Sequence, residues 1–214
     1  MFWFLPVQEG NPPRKFPLVN VFLITLNFYV FFKTFFLRSF ERIVWHYGFT
    51  PAHPHFQNVI SSMFLHAGFA HILGNMYFLY VFGDNVEERL GKVNYLIAYL
   101  LSGFGACYLQ YSVDPHSTLP LVGASGAISG ICALYMMIFP WQKMRLQFFF
   151  IIFPIFSIPA RAFLVVGVWF LEQYFTALGS DPAMGGVAFW AHVGGFVTGI
   201  VLFVFMYPGK SKTT

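Results

Sequence analysis

Apolar residues in this chain come in long blocks. They show neither the alternation of a half-buried strand nor the single stripe of an amphipathic helix. A bilayer core about 30 Å thick is crossed by roughly 20 residues of helix, and six blocks come near that length. They are Leu18–Leu37, Phe69–Val86, Val93–Val113, Ala124–Phe139, Ala160–Leu178 and Val187–Tyr207. The pattern predicts an all-α polytopic membrane protein, a bundle of six transmembrane helices with a short fourth member. The connection Arg38–Leu65 is long for a bundle. It mixes Trp45, Tyr47, Phe49 and Phe56 with prolines and histidines, a composition suited to the membrane interface. Leu146–Ile158 is also apolar, but Pro154 and Pro159 break it, so it reads as a non-spanning apron leading into the fifth helix.

Composition strengthens the membrane reading. The 214 residues are 57% hydrophobic, 21% aromatic and only 9% charged, against about 25% charged in a soluble domain. One integral-membrane domain is expected over residues 1–214, with a short segment 1–17 before the first span and a short tail 208–214. Leu18–Leu37 is too long for a signal h-region and lacks a small-residue cleavage site, so it is expected to remain in the membrane. The net charge of +4 is scattered at helix ends without a basic stripe, which argues against a nucleic-acid partner. Cys107 and Cys132 lie in apolar segments without metal-ligand spacing, and neither a disulfide nor a metal is expected.

Lys and Arg set an orientation. With the N-terminus inside, Arg14, Lys15, Arg89, Lys92, Lys143, Arg145, Arg161, Lys210 and Lys212 collect on the cytoplasmic side, against Lys33, Arg38 and Arg42 outside. Both termini are then cytoplasmic, and the second, fourth and sixth helices run from outside to inside. The expected location is a bacterial inner membrane. At about 1.5 Å per residue, Ser125, His192 and His71 each lie about 21–22 Å above the inner ends of their helices. All three therefore fall about 8–9 Å below the outer surface of the core. The fourth helix spans only about 24 Å, so the segment before it, with Pro120 and Gly123, must dip into the bilayer. Non-helical backbone at that depth requires a protein-lined or watery cavity, with Ser125 at its floor.

Residues of this kind at one level carry chemistry. A serine hydroxyl becomes nucleophilic when a base takes its proton, and neutral imidazole is the usual base near pH 7. Ser125 and His192 are the candidate catalytic pair. Gly126 and Gly130 on the fourth helix, with Ala191, Gly195 and Gly199 on the sixth, form small-residue ladders that let the two backbones approach. Asn75 and His71 share a face of the second helix. With the backbone N–H at Ser125, they could stabilise an oxyanion. No Asp or Glu is placed to orient His192, which predicts a dyad, and no cofactor is required. Each piece also has a plain structural reading: packing glycines, a buried histidine, a satisfied asparagine. Their common depth favours function.

At this point the chain resembles the rhomboid family of intramembrane serine proteases over nearly its whole length. The matching stretches are His66-Ala-Gly-Phe-Ala-His71-Ile-Leu-Gly-Asn75-Met, Phe82-Gly-Asp-Asn-Val-Glu-Glu-Arg-Leu-Gly91, Val122-Gly-Ala-Ser-Gly-Ala-Ile-Ser-Gly130 and Ala191-His192-Val-Gly-Gly-Phe-Val-Thr-Gly199. The resemblance implies a Ser125–His192 dyad that cleaves single-pass transmembrane proteins near the outer membrane face. Asn75, His71 and the Ser125 backbone would serve the oxyanion, and His66 would brace the first loop. Glu88, Arg89 and Gly91 would form a structural motif at the inner end of the second helix. By analogy, the fifth helix and the cap above the cavity would move to admit substrate. Two departures stand out. Where some members stack an aromatic ring on the catalytic histidine, this chain has Ser129, and a Trp-Arg signature of the first loop is missing.

Two other readings compete. An inactive rhomboid-like binder of transmembrane helices would usually lack the serine or histidine, and both are present. A transporter could use Glu172 and Asp84, but no internal repeat supports one. A zinc protease would need His-Glu-x-x-His, which does not occur. An aspartyl protease would need a partner for Asp84. The implied partners are transmembrane-helix substrates and the lipid bilayer; nothing in the chain specifies an oligomeric state.

Overall fold

The computed structural model describes residues 2–8, 13–37, 39–150, 153–180 and 186–207. Arg38, Lys210 and Lys212, counted above in the charge bias, and the tail 208–214 lie outside the described residues. Among those described, eight helices and one three-stranded sheet follow the order β1 (Phe2–Gln8), α1 (Leu18–Thr34), α2 (Phe40–Tyr47), α3 (Phe56–Ser62), α4 (Phe69–Leu90), α5 (Lys92–Val113), α6 (Ser125–Ile138), β2 (Lys143–Phe150), β3 (Phe153–Arg161), α7 (Ala162–Gly179) and α8 (Phe189–Met206).

Each of the six apolar blocks contains one helix, with ends shifted by a few residues. Three of them, α5, α7 and α8, are long and apolar enough to cross a membrane, while α1 and α6 are shorter apolar helices. α4 is as long as α5, but Asp84, Glu87, Glu88 and Arg89 crowd its C-terminal part. That end is a structural junction. The buried Glu87 carboxylate accepts the backbone N–H groups of Val19 (3.1 Å) and Asn20 (2.7 Å), unpaired donors in the first turn of α1. Asn20 in turn accepts the Tyr95 hydroxyl at 2.7 Å, tying α1, α4 and α5 together. Glu88 accepts the Arg14 backbone N–H at 3.0 Å. Arg89 places its guanidinium over the Phe139 ring, 5.2 Å from the centroid.

The sheet corrects the all-α expectation: the protein is mostly helical, with an antiparallel sheet of order β1-β2-β3. Of the stretch read as a non-spanning apron, the described residues 146–150 and 153–158 lie in the β2–β3 pairing, with Lys143 opposite Arg161 and Leu146 opposite Ile158. The segment before α1 adds β1, with Gln8 opposite Met144. Pro154 and Pro159, which break the apolar run, lie in the outer strand β3, and the other outer strand, β1, holds Pro6. A strand at a sheet edge tolerates a residue with no N–H to donate, whereas the central strand β2 has no proline. β1 is also pinned to the bundle, since the Tyr77 hydroxyl donates to the Pro6 carbonyl at 2.8 Å.

The long connection between α1 and α4 holds two short helices. α2 leaves Trp45 and Tyr47 exposed, and Phe56 at the start of α3 is exposed as well, while Phe49 between them is buried. Asn58 donates to the carbonyls of His46 (3.0 Å) and Gly48 (2.9 Å), and Ser61 donates to that of Tyr47 (2.6 Å), so the two helices brace each other.

Candidate active site

The site is built where α4, α6, α7 and α8 converge. α6 starts at Ser125 and has 14 residues, about 21 Å of helix. The backbone before it is held by three hydrogen bonds. Phe49 and Leu121 exchange N–H···O bonds of 3.0 and 2.8 Å, and the Gly123 N–H donates to the Ser62 carbonyl at 2.9 Å. Gly123 has φ of 123°, a conformation that favours glycine. A Cβ there would also stand 2.6 Å from His71 Nε2. Glycine at 123 is therefore required twice over, by the turn and by the imidazole beside it.

Ser125 and His192 meet. Ser125 Oγ lies 2.8 Å from His192 Nε2. The approach depends on glycines at the α6–α8 seam. A Cβ on Gly195 would strike the Gly126 carbonyl, whose carbon would be 2.8 Å away, and one on Gly199 would lie 2.8 Å from the Cα of Gly130. The predicted ladders are thus backbone-to-backbone contacts, the arrangement small residues allow between apolar helices. Gly126 itself faces Ala106 of α5.

In front of the pair is a cavity of about 500 Å³, lined among others by His71, Asn75, Gly123, Ser125, Trp169 and His192. Asn75 is buried and donates one amide hydrogen to the His71 carbonyl at 2.9 Å; its NH₂ group carries a second. His71 Nδ1 receives a long contact of 3.5 Å from the Ala67 N–H, which leaves Nε2, the nitrogen beside Gly123, to carry the proton. His66 is fully buried in the loop before α4, its ring 5.0 Å from that of His71. Burial, reinforced by His71, pushes the His66 imidazolium down to about 3, so the ring is neutral. Ser129 is buried and donates to the Ser125 carbonyl at 2.7 Å.

The structure supplies a neighbour that sequence reasoning missed. His192 Nδ1 lies 2.5 Å from Oε1 of Gln173 on α7, and the Gln173 amide nitrogen hydrogen-bonds the neighbouring Glu172 carboxylate. Glu172, left without a role by the sequence, also accepts the Thr176 hydroxyl at 3.3 Å. Only the fold reveals Gln173. The buried positions of α7 are Ala162, Val166, Gln173 and Ala177, one face of a helix, and Gln173 is the polar member. Aromatic rings close the surroundings: Trp169 and Phe189 have centroids 6.3 and 6.1 Å from that of His192. Among the described residues, no cluster of His, Cys, Asp and Glu forms a metal site.

A helical bundle with a serine–histidine pair beside a cavity, and three helices long and apolar enough to cross a bilayer, defines the class of membrane protein. Residues 53–209 match the Rhomboid domain; the chain belongs to the rhomboid family and is an integral membrane protein. It is 26% identical to rhomboid-like protein 11, chloroplastic, of Arabidopsis thaliana, across 91% of this chain and 68% of that protein. It is 30% identical to RHOMBOID-like protein 2 of the same plant, across 67% of this chain and 40% of that protein. It is 28% identical to rhomboid protein 1, mitochondrial, of Saccharomyces cerevisiae, again across 67% of this chain and 40% of that protein. Relatives named for chloroplast and mitochondrion mean that family membership assigns a membrane but not which one.

Proposed function

We propose that this protein is an intramembrane serine endopeptidase that cleaves single-pass transmembrane proteins near the outer membrane face. The observation that carries this reading is the 2.8 Å approach of His192 Nε2 to Ser125 Oγ beside a cavity of about 500 Å³. Ser125 Oγ attacks the scissile carbonyl while His192 Nε2 takes its proton. The oxyanion of the tetrahedral intermediate is met by the second Asn75 amide hydrogen, by His71 Nε2–H and by the backbone N–H at the start of α6. The intermediate collapses as His192 returns the proton to the leaving amine. A water then repeats the sequence on the acyl-serine, releasing the carboxylate product and restoring the hydroxyl.

In this reading the six apolar helices, α1 and α4 to α8, all cross the bilayer, both termini are cytoplasmic, and the cavity opens outward. A site reached by both water and an unwound transmembrane segment is what peptide hydrolysis inside a membrane requires.

The test uses full-length protein in proteoliposomes with a tagged single-pass reporter. Wild type is expected to yield a product band, and Ser125→Ala and His192→Ala none. A fluorophosphonate is expected to label wild type but not Ser125→Ala. A band that survives Ser125→Ala would remove serine from the mechanism. Absence of both cleavage and labelling in wild type would favour an inactive binder of transmembrane helices.

A further inference from the structure

We propose that Gln173 is a positioning residue for His192, and that Glu172 sets the direction of its amide, so that α7 holds the catalytic base in its working tautomer. This deepens the protease reading and rests on it. The imidazole is gripped at both nitrogens by different helices: Nε2 faces Ser125 of α6 at 2.8 Å, and Nδ1 faces Gln173 of α7 at 2.5 Å. Gln173 is only 7% exposed and stands behind the ring, outside the cavity lining.

The direction of the amide follows from donor and acceptor chemistry. A carboxylate only accepts hydrogen bonds. Glu172 therefore turns the NH₂ end of the Gln173 amide toward itself, and the carbonyl oxygen is the end left for His192. An amide oxygen facing Nδ1 requires hydrogen there. Neutral imidazole carries one N–H, so Nε2 must present its lone pair to the serine hydroxyl. The opposite amide orientation would favour the proton on Nε2, where it could not accept one from Ser125. A two-residue step in α7 thus specifies which nitrogen of a residue in α8 is the base. It supplies the orientation that the missing aromatic at Ser129 leaves open. Glutamine does so without a formal charge, which suits a buried position in an apolar helix.

The dependence on α7 is the consequential part. α6 and α8 are locked by backbone contact at Gly126–Gly195 and Gly130–Gly199. α7 meets α8 through side chains: Gln173 on His192, and the Phe170 ring stacked on Phe196 at 4.0 Å. Of the three helices long enough to span, α7 is the least buried, at 28% of its apolar window against 39% for α5 and α8. The base is therefore armed by the least buried of the three, and displacement of α7 would release Nδ1 while leaving the Ser125–His192 distance in place.

The experiment compares wild type, Gln173→Met and the exchange Glu172→Gln/Gln173→Glu in proteoliposomes. Met matches the length and apolar packing but offers Nδ1–H only a weak thioether acceptor in place of the amide oxygen. The exchange restores an acceptor at 173 and a donor at 172. Gln173→Met is expected to lower kcat and the fluorophosphonate labelling rate about 10- to 100-fold, at or below the low end of what a general base contributes, because His192 itself is kept, with KM unchanged. The exchange is expected to recover most of the loss. A purely structural glutamine predicts the reverse order, since Met packs well and a carboxylate does not. Nitrogen-15 spectra of labelled histidine give a readout independent of turnover: hydrogen on Nδ1 of His192 in wild type, and a mixture of tautomers in Gln173→Met. Wild-type kcat in Gln173→Met, or hydrogen on Nε2 in wild type, overturns the inference while leaving the protease reading intact. Wild type that neither cleaves nor labels overturns the protease reading, and the inference with it.

Discussion

The two faces of α8 are built in opposite ways. Toward α6 and α5 it presents Gly194, Gly195 and Gly199, and neighbouring backbones come so close that an added Cβ at any of them meets main-chain atoms. Toward α7 it presents His192 and Phe196, which meet Gln173 and Phe170 by side chain alone. Backbone cannot yield without moving a whole helix, because packed interiors leave no free volume. Side chains can change rotamer. One face thus holds the Ser125–His192 distance and the other, in the proposed mechanism, tunes the base, so rigidity and adjustability sit on opposite sides of one residue.

Substitutions should separate the two faces in order of size. Gly195→Val, at the point of closest backbone approach, is expected to abolish cleavage and labelling. It should also lower stability by about 3 kcal/mol or more, at the upper end of overpacking costs, seen as a fall in the unfolding temperature. Gly199→Ala, one turn further from the site, is expected to cost about 1–3 kcal/mol by the same overpacking, with partial activity retained. If either behaves like wild type, the α6–α8 seam is not the rigid element described here.

The α7 face should respond more mildly in stability. Phe170→Leu removes an aromatic stack worth about 0.5–1.5 kcal/mol beyond its area. It is expected to shift unfolding by about that much and to lower kcat by less than Gln173→Met does. Gly167→Ala is the control. The nearest atom to its added Cβ is the Met136 sulfur at 4.0 Å, and alanine is the better helix former by about 1 kcal/mol. A neutral or slightly raised unfolding temperature is expected; a large loss would mean that α7 is packed as tightly as α6.

The legible parts of the site share a physical basis. Ser125, His192 and His71 could be given matching heights along their helices because helical rise is fixed, and Asn75 follows on the face of His71. The glycine ladders were readable because only the smallest residues permit backbone contact in an apolar setting. Gln173 and Glu172 were not readable together. The one was lost in a run of apolar residues and the other looked like a stray intramembrane acid until the fold placed the amide between carboxylate and imidazole. The sheet escaped because short apolar runs with proline lack a diagnostic period. Its prolines are harmless only once β1 and β3 are known to be edges.

What the sequence determined by itself is local and periodic: where the apolar blocks lie, that the chain needs a bilayer, where each polar residue falls along its helix, and which helices can touch at glycine. What only the tertiary structure decided is relational: that a segment before the first helix pairs with the distant strand β2, and that His192 on α8 meets Gln173 on α7. Helical period and hydrophobicity act along the chain, residue by residue. A hydrogen bond such as that between Gln173 and His192 is a coincidence of two surfaces in space, and no pattern along one strand of sequence encodes the position of the other partner.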